Sequence, residues 1–155
     1  MTPNTHERLN SVVRALSEVV LPHLPPEASL AQEQVQLCIG QLQILGAQLD
    51  AIPAYEREEL DDAIAIAKAL SGISGGPETQ AAQTALAASV DSADGRDVRE
   101  QRKAINTAVE TLVHATSADG DDESKSALTA IILEYEHARA QKDRAWFAPF
   151  GFDTL

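Results

Sequence analysis

Apolar side chains return every third or fourth position along most of this chain, a spacing that gathers them into one stripe on a helix and scatters them on a strand. Leu9, Val12, Val13, Leu16, Val19 and Val20 make the first such run and predict a helix from about Thr5 to Leu21. Pro22 should stop it. Pro22-His23-Leu24-Pro25-Pro26 then reads as a stiff extended connector, because each proline lacks an amide proton and restricts the residue before it.

Ser29, with Gln32 three residues on, resembles a capping box and opens a second predicted helix. Val35, Cys38, Leu42, Leu45, Leu49 and Ile52 recur behind it at alternating spacings of three and four, with Leu30, Leu37 and Ile44 beside them. So wide a stripe is expected to touch two or more neighbours, with Gly40 and Gly46 allowing close approach and Cys38 acting as a small core residue. Pro53 suits the start of a helix over about Ala54 to Ser71, whose first turns would hold Glu56, Glu58, Glu59, Asp61 and Asp62 where the helix dipole favours them.

Gly72, Gly75, Gly76 and Pro77 break the pattern. An alanine-rich segment, Glu78 to Val90, with only Leu86 and Val90 as large apolar residues, is predicted to be helical as well. A further helix is predicted over about Arg96 to Ala115 on Val98, Ile105, Val109, Leu112 and Val113. A last one runs over about Glu123 to Trp146 on Leu128, Ile131, Ile132 and Tyr135. Ser-Ala-Asp-Gly occurs at 92–95 and 117–120, but nothing around the copies aligns, so it is recurring loop chemistry and not a repeat. Short connections favour antiparallel neighbours. The expected fold is an all-α, up-down antiparallel helical bundle of five to six helices with a four-helix core, the first helix or the alanine-rich segment lying outside it. The chain is expected to form one domain over 1–155, with 146–155 an aromatic C-terminal tail.

Composition narrows the function classes. Acidic residues number 24 against 12 basic, and the net charge of −12 opposes a phosphate backbone or an anionic bilayer, so neither nucleic acid nor membrane is an expected partner. The longest apolar run, Ala130 to Leu133, is far short of a membrane span. Cys38 is the single cysteine, which excludes an intrachain disulfide and suits a reducing compartment. The polar opening residues, with Glu7 among them, carry no apolar signal core, so a cytoplasmic location is expected.

Candidate chemistry is sparse. Trp146, Phe147, Phe150 and Phe152 are four of only six aromatic residues and crowd into seven positions, which makes them anchors either for the chain's own bundle or for a second molecule. Arg96, Arg99, Arg102 and Lys103 gather at a helix start, where cations oppose the dipole. Either the acidic run Glu56 to Asp62 compensates them, or they form an anion-binding site. Glu134 and His137 make a Glu-x-x-His pair of the kind that ligates metals in helical bundles, without the second pair such a site needs. The acidic run Asp119 to Glu123 lacks the ligand order of a calcium loop and reads as a solvated source of helix-capping charge.

No nucleophile elbow or phosphate loop is present, and no cofactor is expected. The expectation is therefore a non-enzymatic helical-bundle interaction protein that self-associates, as a homodimer or larger homo-oligomer, or binds another protein. The competing expectation is a small-molecule- or metal-binding bundle, or an enzyme accessory subunit.

Overall fold

The computed structural model describes residues 2–92 and 97–150. Helix accounts for 86% of these residues and no strand occurs among them, so the protein is all-α, as the spacing requires. Its contacts divide into two compact units, residues 1–52 and 53–155.

The first unit is a helical hairpin. Helix α1 spans Thr5–Arg14 and opens on a capping box, with Asn4 Oδ1 accepting from the Glu7 amide at 2.9 Å and Glu7 Oε2 accepting from the Asn4 amide at 2.8 Å. The chain continues as a π-helix over Ala15–Val20 and a last α turn over Leu21–His23. Pro22 thus does not end the helix. Its missing amide leaves the Glu18 carbonyl without its usual donor, and a wider turn just ahead lets the helical path run on past the ring. His23 Nδ1 lies 2.6 Å from the Val19 carbonyl oxygen and closes that turn.

Helix α2 spans Ser29–Gln48. Ser29 is its first residue and not its cap; Ala28 holds the cap position without a side-chain bond. Gln32 Nε2 instead donates to the Pro25 carbonyl oxygen at 2.9 Å, tying the helix start to the connector. The hairpin is antiparallel, because His6 near one end of α1 meets Asp50 beyond the far end of α2 at 3.2 Å. A Cβ on Gly46 would stand only 3.0 Å from Leu9 Cδ2, so this glycine permits the close approach that Gly40, with nothing within 4 Å, does not.

The second unit is a four-helix up-down bundle built from α3 (Ile52–Leu70), α4 (Pro77–Asp91), α5 (Val98–Asp119) and α6 (Asp122–Phe147). The ends that meet fix the directions. Tyr55 at the start of α3 bonds Asp143 at the end of α6, and Ser74 beyond α3 meets Ser124 at the start of α6, so these helices are antiparallel. Thr79 at the start of α4 bonds Asp119 at the end of α5 in the same sense. Leu70, Leu86, Ile105 and Leu112 are fully buried and come from α3, α4 and α5, with Leu128 of α6 closing the cluster. The alanine-rich α4 is one of the four core helices, since Ala82 and Leu86 are buried in that cluster and small side chains let it approach α5 closely.

Capping joins distant parts of this bundle. Asp121 caps its own helix by accepting from the Ser124 amide at 2.8 Å. Asp119 caps a different one: its carboxylate accepts from the Glu78 amide at 2.7 Å and from the Thr79 amide and hydroxyl at the start of α4. A Cβ on Gly76 would fall 2.6 Å from Asp119 Oδ2, so only glycine leaves room for that cap. The Thr79 hydroxyl, with the amides of Glu78, Thr79 and Gly76, holds the Asp119 carboxyl below the usual aspartate range.

Two outcomes are expected from this packing. Leu112→Ala should lower the unfolding free energy by about 2–5 kcal/mol in urea titrations, the range for a buried leucine leaving a cavity. A depressed carboxyl contributes stability that is present above its unfolded pKa of about 3.9 and is lost as pH falls through the folded value. Asp119→Ala should therefore lower the urea midpoint at neutral pH, and its gap from the parent protein should close below about pH 4.

Candidate functional site

The acidic run of α3 does not sit in the first turn. The helix begins at Ile52, ahead of Pro53, which puts Glu56 to Asp62 beyond the reach of the terminal dipole. These carboxylates instead meet cations from two other helices of the bundle. Arg99 lies 2.5 Å from Glu56 Oε1, and Arg102 lies 3.4 Å from Glu59 Oε2. Lys142 Nζ stands 2.7 Å from Asp62, 3.2 Å from Glu59 Oε1 and 3.9 Å from Glu58. Glu59 is only 8% exposed, so α3 carries a buried carboxylate flanked by Arg102 of α5 and Lys142 of α6.

Of the basic residues named from sequence, Arg99 and Arg102 are thus compensated within the chain, Lys103 is exposed, and Arg96 lies outside the described residues. Asp97 caps α5 by accepting from the Arg99 amide at 2.8 Å, which supplies negative charge where the helix start requires it.

The aromatic group is divided. Trp146, still within α6, packs its ring 4.3 Å from that of Tyr55, and Lys142 Nζ sits 5.3 Å from the Tyr55 ring centre. The Tyr55 hydroxyl donates to Asp143 Oδ1 at 2.7 Å. Burial, the bond to Asp143 and the nearby Glu59 charge together push the Tyr55 phenol up from its ordinary value. Phe147 is 42% exposed, Phe150 is half-buried in a 3₁₀ turn over Ala148–Phe150, and Phe152 lies outside the described residues.

Glu134 and His137 are both exposed on α6, and among the described residues no three His, Cys, Asp or Glu side chains come together as metal ligands. A groove of about 490 Å³, open to solvent, runs between Ala81 and Ala85 on α4 and Thr111 and His114 on α5. Its walls are mainly apolar.

The surface of the 1–52 unit differs. Leu30 is 69% exposed, Val19 59%, Leu37 54%, and Val12 and Leu45 nearly half. Ile44 is the single buried apolar side chain among this unit's described residues. Cys38 is exposed and not part of a core. Sequence periodicity identified the stripe but gave no means of telling which part of it the hairpin would cover.

Fold and surface together define an all-α protein with a closed four-helix bundle and a hairpin that leaves apolar surface in water. No family model, curated protein or solved structure matches the chain. Among the described residues no helix is long and apolar enough to cross a membrane.

The Tyr55 cluster sets an alkaline limit. A raised phenol pKa leaves stability whole below the unfolded value of about 10 and removes it as pH climbs toward the folded value. Lys142 acts in the same direction: burial opposes its charge, but Asp62 and Glu59 outweigh burial and raise its pKa. Tyr55→Phe should flatten the fall in urea midpoint above about pH 10 without abolishing it, because the lysine contribution stays.

Proposed function

We propose that this chain is a non-enzymatic helical interaction protein that self-associates, with the 1–52 hairpin supplying the contact surface. One observation carries the proposal: Val12, Val19, Leu30, Leu37 and Leu45 are each about half exposed or more in the hairpin, while among the described residues of the 53–155 bundle only Leu133 and Phe147 are large apolar side chains left comparably open. Large apolar side chains left exposed in number on one unit mark a surface for protein contacts. A hairpin of this size, in a chain whose single cysteine permits no intrachain disulfide, also gains more from association than a larger unit would. Charge supports the same surface. Glu33 is the single charged residue of α2, so two copies of a chain with net charge −12 meet there with the least repulsion.

Sedimentation velocity from low to high micromolar concentration tests this. The parent protein should shift from monomer toward dimer or larger. Leu37→Ser with Leu45→Ser should weaken association at least tenfold, since burying each leucine is worth about 1.5–3 kcal/mol and about 1.4 kcal/mol is tenfold. Helical content by circular dichroism should stay unchanged in that variant. A parent protein that stays monomeric throughout, or a variant that associates as before, overturns the proposal.

A further inference from the structure

Helix α2 carries a second pattern beneath its periodicity. Leu30, Gln34, Leu37, Cys38, Gln41 and Leu45 are all exposed. At 3.6 residues per turn they fall within about 50° of one line along the helix, whose exposure ends short of Gln48, buried at the same angle as Leu30. The side that meets α1, around Gly46, lies well away from that line. Along it leucine matches leucine (Leu30, Leu45) and glutamine matches glutamine (Gln34, Gln41) about a midpoint between Leu37 and Cys38, which themselves form an unlike apolar pair.

Resting on self-association as proposed above, we infer that α2 pairs antiparallel with α2 of a second copy about a two-fold axis passing between Leu37 and Cys38. In this register Leu30 packs on the second copy's Leu45, Gln34 faces its Gln41, and Leu37 packs on its Cys38. A two-fold contact requires each surface to complement itself, and these residues do so chemically. Leucine packs against leucine, and a primary amide both donates and accepts, so Gln34 and Gln41 can bond one another across the axis. A line of carboxylates or lysines could not. A foreign partner would impose no reason for the leucine and glutamine pairs to be placed symmetrically about one centre. The pairing also gives the hairpin what it lacks, because two hairpins joined through α2 enclose the exposed leucines between helices.

Disulfide trapping of the full chain distinguishes this register from others. Mild oxidation with copper phenanthroline should convert most of the parent protein to a Cys38-linked dimer, since the two thiols flank the axis. In a Cys38→Ser background, Leu30→Cys alone should not cross-link, because like positions then lie about 22 Å apart along the axis. Mixing that variant with Cys38→Ser/Leu45→Cys should restore the linked dimer. If Leu30→Cys links to itself, or Cys38 fails to link in a protein that sedimentation shows to be dimeric, the antiparallel register is overturned while self-association stands. A protein monomeric at every concentration overturns both.

Discussion

An amphipathic helix in water must lay its apolar stripe against something, and the two units of this protein meet that requirement in opposite ways. The 53–155 bundle meets it internally, with Leu70, Leu86, Ile105 and Leu112 shielded from solvent by helices of the same unit. At about 1.5–3 kcal/mol for each large side chain removed from water, this burial outweighs any single polar contact in the molecule. The 1–52 hairpin has two helices, and two helices cannot enclose a stripe as broad as that of α2. What the first unit leaves uncovered is therefore a matter of geometry, and the functional proposal grows from that remainder.

Around the bundle core, charge gives direction more than strength. Exposed ion pairs contribute little, but Glu59 is buried and stands between Arg102 and Lys142. Removing either cation would leave a carboxylate short of compensation in a poorly solvated site, and such a loss is far larger than the pair's own net contribution. Sliding α3 along its neighbours would separate Glu56 from Arg99, Glu59 from Arg102 and Asp62 from Lys142 together. The three carboxylates thus act as a ruler that fixes the register of α3 against α5 and α6, a task that leucines of interchangeable shape perform poorly.

Much of this was legible from residue order. Spacing of three and four located α3, α5 and α6, and Gly72 to Pro77 marked the break before the alanine-rich α4. Where local signals failed, a tertiary or backbone effect had overridden them. Pro22 reads as a terminator, but a π turn absorbs it. Ser29 reads as a cap, but Gln32 turns back to Pro25. The capping pair Asn4 and Glu7 was a clear local signal that went unread. Glu56 to Asp62 read both as dipole charge and as a source of compensation for the basic start of α5; Arg99 and Arg102 do pair with Glu56 and Glu59, whereas Lys142, some 80 positions downstream of Asp62, lay beyond any local pattern. Cys38 read as core because periodicity reports that a stripe exists and is silent on how many neighbours are available to cover it.

Asp119 gives the bundle a chronology. The start of α4 is completed by a carboxylate that stands 41 residues after Glu78, so the helix cannot be finished by its own neighbourhood in the chain. During synthesis α4 leaves the ribosome with open amides at its first turn and stays ragged there until the whole of α5 has emerged and folded back. Closing a loop of that length is entropically modest but must come before the bond forms. The alanine-rich segment, with few large side chains of its own, is thereby kept provisional until the helix that shelters it exists.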